Sequence, residues 1–267
     1  MKKTLTIIIA LAACLFPINM AHGQTQRQFT GKVFHSSHGQ DLPYRVMFPE
    51  DFDPSKSYPL ILFLHGAGER GTDNNSQLVH GRARFQSDSS LKNTIVLAPQ
   101  CPKEDYWVCI VKTNNPSEHR NRTFPYSAPI SSSMTSVKEL LDAMVAVGFV
   151  DTNKIYGIGI SMGAMGILDL AFRFPNLFRA VEPMCGGINN NRVEEFKGKT
   201  AFRFFQGLRD DIVLPKFAQE NCKALKKAGV EAVIVEYPQD NHNCWDSAFL
   251  EPDLFTWMFN QTQTNEK

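Results

Sequence analysis

An excess of charge of either sign is what this sequence most plainly lacks. Its 28 Lys and Arg face 27 Asp and Glu over 267 residues, a formal net charge of +1. Lys2 and Lys3 lie in a segment expected to be removed, which would leave 26 basic against 27 acidic residues, or −1. A phosphate-tracking surface or an anionic-membrane binder needs a basic excess, so nucleic acid is not an expected partner. Clustered Cys and His are also missing: there is no C-x-x-C and no close Cys/His spacing of the kind that holds a metal. Neither a metal nor a cofactor is expected, and nothing points to an obligatory protein partner. No repeat, low-complexity tract or linker divides the chain, so residues 24–267 read as one domain.

The apolar run at residues 5–16 follows Lys2 and Lys3 and precedes the small-residue stretch Ala21-His22-Gly23. It is too short and wrongly flanked for a membrane span and has the layout of an export signal. Residues 1–23 are therefore expected to be a signal peptide and the mature protein to be secreted or periplasmic. Leu11-Ala12-Ala13-Cys14 also resembles a lipobox, an alternative in which Cys14 becomes a lipidated N-terminus. Beyond Cys14 there are five cysteines, 101, 109, 185, 222 and 244, an odd number that leaves at least one free. Cys101 and Cys109 are near enough to pair, although spacing does not prove it. Cys222 shares a helix face with Ala218 and Leu225 and reads as a buried thiol.

What the sequence does have is an alternation of strand and helix patterns. Residues 28–35 and 42–47 read as a hairpin of strands, joined through residues 36–40. The runs 59–64 and 94–98 are apolar on both faces, as suits central parallel strands. Residues 102–133 carry several Pro, Asn and Ser without a period and read as a long irregular loop. Ser136 and Glu139 form a capping box for a helix with Val137, Leu140, Leu141, Met144 and Val145 on its apolar face, ended by Gly148. Further strand patterns lie at 154–158, 180–184, 201–205 and 232–235, a helix runs from Pro215 to Gly229, and 245–259 reads as one terminal helix. The alternation predicts an α/β fold with a mainly parallel sheet.

Gly159-Ile160-Ser161-Met162-Gly163 stands between the 154–158 strand pattern and a helical run. A serine on a sharp strand-to-helix turn projects its hydroxyl, and small neighbours permit the turn. Ser161 is the candidate nucleophile. Sites in open α/β sheets form beyond the carboxyl ends of the strands, which directs the search to later loops. Of seven histidines, His242 alone falls between the last strand pattern and the final helix, and is the candidate base. His80 and His119 lie in irregular stretches and read as surface or packing residues. Asp210, three residues after Gly207, is the candidate acid, with Asp211 the near alternative. The order Ser, Asp, His is that of the α/β-hydrolase arrangement. The oxyanion donors are expected to be the amides of Met162 and of Ala67 in His65-Gly66-Ala67-Gly68-Glu69-Arg70-Gly71. His65 reads as a structural support of that loop and Glu69 with Arg70 as a pair shaping it. Trp107 and Trp245 are candidates to wall a substrate pocket, with a core role as the alternative for each.

Together with Ala98-Pro99-Gln100-Cys101-Pro102, Pro183-Met184-Cys185-Gly186-Gly187 and His242-Asn243-Cys244-Trp245, these motifs resemble secreted bacterial α/β-hydrolase esterases. The group is similar to the first carbohydrate-esterase family of feruloyl and acetyl-xylan esterases and to polyhydroxybutyrate depolymerase-like carboxylesterases. The resemblance covers nearly all of residues 24–267. It implies an α/β-hydrolase catalytic domain and a serine esterase whose substrate is a carboxylic ester, with acylated polysaccharide or oligosaccharide as candidates. Gln206 departs from the resemblance, standing where such proteins often carry His; being outside the triad, it is expected to matter little. His119, Arg120 and Arg122 in the 112–133 loop match no motif. A peptidase or amidase with the same triad, and a non-catalytic carbohydrate binder on the same scaffold, are the competing readings.

Overall fold

The structure, a computed structural model, describes residues 27–109 and 127–261. The expected signal segment with Cys14, the loop residues His119, Arg120 and Arg122, and the last six residues lie outside them.

Strands β1 (Thr30–His35) and β2 (Asp41–Met47) pair antiparallel across a tight turn, in which Ser36 N donates to Gln40 O at 3.0 Å and Gly39 takes φ 84°. The sheet continues with β3 (Tyr58–Leu64), β4 (Ile95–Pro99), β5 (Val150–Ile160), β6 (Ala180–Met184), β7 (Ala201–Gly207) and β8 (Ala232–Tyr237). Their order is β1-β2-β4-β3-β5-β6-β7-β8. β2 runs against both its neighbours and every pairing from β4 to β8 is parallel. The helices are α1 (Arg82–Ser87), α2 (Ser132–Ala146), α3 (Met162–Arg173), α4 (Asn190–Glu194), α5 (Lys216–Lys227), α6 (Trp245–Ala248) and α7 (Leu254–Phe259).

The expected apolar strands are indeed covered on both faces. On β3, Leu60, Leu62 and Leu64 join one core with Leu140 and Leu141 of α2, Ile167 and Leu168 of α3 and Leu225 of α5. Ile61 and Phe63 point the other way, into a second core with Phe85 of α1 and Phe255 and Met258 of α7. A strand sandwiched this way has no polar face, so its sequence shows no alternation. Cys222 is buried in the first core, as its helix face implied.

Two local readings are corrected and an open one is decided. Helix α2 starts at Ser132, capped by Ser131, whose hydroxyl accepts from Met134 N at 3.1 Å. Ser136 lies inside the helix, and Glu139 instead accepts from Ser37 N at 2.8 Å in the β1–β2 turn. Asp105 decides this start, because its Oδ2 accepts from Ser133 N at 2.8 Å and pins the first turn. The single terminal helix is two, α6 and α7, since Pro252 between them offers no amide and disfavours helix at the preceding residue. Cys101 and Cys109 are both free, one buried and one exposed, and burial pushes the Cys101 thiol up to about 12. The disulfide joins Cys185 to Cys244.

Candidate active site

Ser161 occupies the turn between β5 and α3 with φ 51° and ψ −112°, a left-handed backbone that costs a residue other than glycine about 1–3 kcal/mol. Its flanking glycines are dictated by contact. A Cβ on Gly163 would fall 1.9 Å from Leu64 O, and one on Gly159 2.3 Å from Gly163 O. The turn is therefore wedged against the end of β3, whose Leu64 pairs in register with Gly159. Ser161 N donates to Met184 O at 2.8 Å, anchoring the turn to β6 on its other side.

The later loops bring the expected partners to this turn. Ser161 Oγ lies 2.8 Å from His242 Nε2, and His242 Nδ1 lies 2.8 Å from Asp210 Oδ2. A proton on Nδ1 donated to the carboxylate leaves Nε2 free to accept from the serine hydroxyl. Asp210 is 3% exposed, and its Oδ1 accepts from Ile212 N and Val213 N, each at 2.9 Å. Burial by itself pushes the Asp210 carboxyl up. The bond and charge of His242 and the two amides outweigh it and hold the group below its ordinary value. Asp211 points to the exposed side of the loop, and it is Asp210 that reaches the histidine.

Two supports of this chain were not legible in advance. Gln206, at the end of β7, donates from Nε2 to Asp210 Oδ2 at 3.2 Å and to Gly207 O at 3.0 Å, so it touches the acid rather than standing apart from it. The Cys185–Cys244 bond fastens the end of β6 to a residue two beyond His242. The position of Cys244 beside the candidate base was the available signal. Among the described residues, Cys185, Asp210 and His242 bring a sulfur, an oxygen and a nitrogen within 4.8 Å of one another, a grouping occupied by the disulfide and the hydrogen-bond chain. Gly207 lets the two loops meet, since a Cβ there would lie 2.2 Å from Asn241 O.

The oxyanion candidates both open helical turns: Met162 begins α3, and Ala67 begins the short turn Ala67–Glu69 after β3. The first amides of such turns have no partner within the turn and face developing negative charge. His65 braces this loop as expected. Its Nδ1 donates to Gly66 O at 2.6 Å and its Nε2 accepts from Cys101 N at 3.0 Å. Burial holds the imidazole neutral, its pKa lowered to about 4.

This depression has a measurable sign. The contribution of neutral His65 is full above the ordinary value of 6.5 and is lost as pH falls through about 4. A proton on Nε2 would face the Cys101 amide donor to donor. His65→Asn is expected to be less stable at pH 7 and to show a shallower fall in melting temperature between pH 6.5 and 4 than the wild type. Parallel melting-temperature profiles would count against the His65 contact.

Of the two readings of Trp107, pocket wall or core, the structure gives the second: it is wholly buried and donates from Nε1 to His65 O at 3.1 Å. Trp245 sets its ring nearly perpendicular to that of His242, with centroids 5.4 Å apart. Glu69 and Arg70 do not pair with each other. Arg70 donates to Ala67 O at 2.9 Å and Lys103 O at 3.0 Å and lies over the Tyr106 ring, whereas Glu69 faces His80. Adjacent side chains on a helical turn diverge, which is why sequence neighbours made a poor pair. One turn into α3, Met165 packs with Val108, Val213 and Phe217 in a small apolar cluster separate from the two main cores.

Fold and site define a hydrolase of the serine-esterase class on an α/β-hydrolase scaffold. Residues 53–252 match the Phospholipase/Carboxylesterase family, and the chain belongs to that family. It is 22% identical over 201 residues to a probable carboxylesterase of Oryza sativa subsp. japonica, covering 71% of this chain and 83% of that one. Among solved structures it resembles a thermostable esterase with 29% identity and a TM-score of 0.75, covering 87% of this chain. The chain spans 63% of that esterase's length. A ferulic acid esterase, 18% identical with a TM-score of 0.65 over 88% of this chain and all of its own, shares the fold.

Proposed function

We propose that the protein is an exported serine esterase that cleaves acetyl or feruloyl esters of plant polysaccharide through an acyl-enzyme. The observation that carries the chemistry is the continuous chain Ser161 Oγ, His242, Asp210, with both links at 2.8 Å. His242 takes the serine proton as Oγ attacks the ester carbonyl, and returns it to the departing alcohol. Asp210 holds the imidazole in the required tautomer and offsets its transient charge. The amides of Ala67 and Met162 receive the oxyanion. Water then repeats the sequence to free the acid.

The apolar cluster at Met165 and Val213, beside the nucleophile, suits an acyl group, and the motif resemblance directs attention to acetyl and feruloyl acids. Export is proposed from the N-terminal segment, and a disulfide beside the candidate base is in keeping with an oxidising compartment.

A fluorophosphonate probe is expected to label Ser161, and the absence of labelling would favour a non-catalytic binder. Product release from acetylated xylan, methyl ferulate, a short polyester and peptide amides tests the substrate. Acid from the first two supports the proposal, and cleavage confined to the polyester or the amides overturns it. Asp210→Asn is expected to lower kcat by about 10⁴, because the amide favours the wrong tautomer of His242. Asp211→Asn is expected to leave kcat within about twofold, as substitutions away from the reacting groups generally do. Equal losses in the two variants would reassign the acid.

A further inference from the structure

The candidate site has two unlike flanks. One is the apolar cluster of Met165, Val108, Val213 and Phe217. On the other, three side chains from separate segments meet: Glu69 of the oxyanion loop, His80 from the segment before α1, and Trp245 at the start of α6. His80 Nε2 stands 3.8 Å from Glu69 Oε1, beyond hydrogen-bond distance. Its ring lies against that of Trp245, with centroids 5.3 Å apart, and Trp245 in turn packs on His242. The other Glu69 oxygen crowds Gly66, where a Cβ would be 2.9 Å from it. Contacts thus run from the oxyanion loop, through Glu69, His80 and Trp245, to the proposed base.

Hydrogen bonding sets these three apart. Among the described residues, no hydrogen bond reaches the Glu69 carboxylate or the His80 ring, and Trp245 Nε1 is shielded from solvent without a partner. Comparable acids elsewhere are tied: Asp105 by Ser133, Glu139 by Ser37, Asp73 by Ser76. The Glu69 side chain is 16% exposed and neither of its oxygens is fully shielded, so both stay within reach of a ligand entering from solvent. A shielded indole N–H is normally bonded, and an unbonded one that adjoins an open carboxylate and imidazole beside a nucleophile marks a prepared binding surface.

We propose that Glu69, His80 and Trp245 form the alcohol-side subsite, and that the alcohol is a hydroxyl-rich sugar unit. The proposal rests on the serine-esterase reading. In that reaction the Ser161 Oγ–carbonyl carbon bond forms and the bond from that carbon to the alcohol oxygen breaks. The proton taken from Oγ passes through His242 Nε2 to that oxygen, so the alcohol must lie against His242. Asp210 and the disulfide beside the imidazole are buried, whereas Trp245, packed on the same ring, is half-buried. A carboxylate accepts from sugar hydroxyls, an imidazole donates or accepts, and an indole offers an apolar face to a ring. His80, placed in an irregular stretch, carried no sequence signal for this role.

The test compares an acetylated xylobiose with p-nitrophenyl acetate, which share the acyl group and differ in the alcohol. In Glu69→Gln and Trp245→Leu, kcat/KM on the sugar ester is expected to fall at least about tenfold further than on the aryl ester, chiefly through KM. Free xylobiose is expected to inhibit the wild type competitively and the Glu69→Gln protein more weakly. The near-isosteric Glu69→Gln change decides the matter if the tryptophan variant fails to fold. Equal losses on the two esters, or a wild type that cleaves ethyl acetate faster than the sugar ester, overturn the subsite and leave the serine chemistry standing. A wild type inert on both esters and unlabelled by fluorophosphonate overturns the esterase reading itself.

Discussion

Replacing Ser161 by alanine is expected to remove turnover of short aryl esters, with kcat falling on the order of 10⁶-fold. The size follows from the geometry. The hydroxyl lies 2.8 Å from His242 Nε2, and without it the base has no nucleophile to activate. What survives is the binding and oxyanion contribution, which leaves a residual rate above that of water. The change should not disturb the fold. Alanine keeps the Cβ that the backbone at φ 51° already tolerates, and the turn remains tied by Ser161 N to Met184 O through the main chain. Initial rates on p-nitrophenyl acetate, together with a thermal melt, check both halves. A variant that retains wild-type rate removes Ser161 from the mechanism, and one that is inactive but unfolded calls for Ser161→Cys in its place.

Breaking the Cys185–Cys244 bond should have the largest effect on stability. The bond closes a loop with a sequence separation of 59. In the chain-entropy account, a loop of that length stabilises the fold by on the order of 4 kcal/mol. Cys185→Ser with Cys244→Ser is expected to lower the urea midpoint accordingly, and dithiothreitol to do the same to the wild type. Activity should fall as well. The crosslink lies beside the Asp210–His242 pair and ends two residues from the histidine, so its loss frees the loop that presents Nε2 to Ser161. Unfolding in urea with and without reductant, paired with kcat, measures the two effects. Coincident unfolding curves would mean that the bond contributes nothing to the folded protein.

Much of the arrangement was legible because local chemistry and chain order point the same way. Ser161 was marked by glycines that the structure shows to be sterically required, and Asp210 and His242 by their places after successive strands. The supports were less legible, because they depend on how turns and distant segments fold against one another. Gln206 looked dispensable until β7 delivered its amide to Asp210. Ser136 and Glu139 had a valid capping pattern, but Asp105, 28 residues from Ser133, pins an earlier start. Trp107 could be read as a pocket wall or as core, and the fold decided for the core by placing it against the oxyanion loop, where it holds His65 O.

The sequence by itself determined the α/β alternation, the doubly covered strands and the candidates for nucleophile, base and acid. Each of these is written in periodicity, in glycine placement or in the order of loops along a parallel sheet. Only the tertiary structure decided that Cys185 pairs with Cys244, that Arg70 turns from Glu69 to carbonyls at 67 and 103, and that Glu69, His80 and Trp245 meet beside His242. The disulfide, the Arg70–Lys103 bond and the His80–Trp245 contact join segments dozens of residues apart, and no local pattern encodes which of many compatible partners the packed sheet will bring within reach.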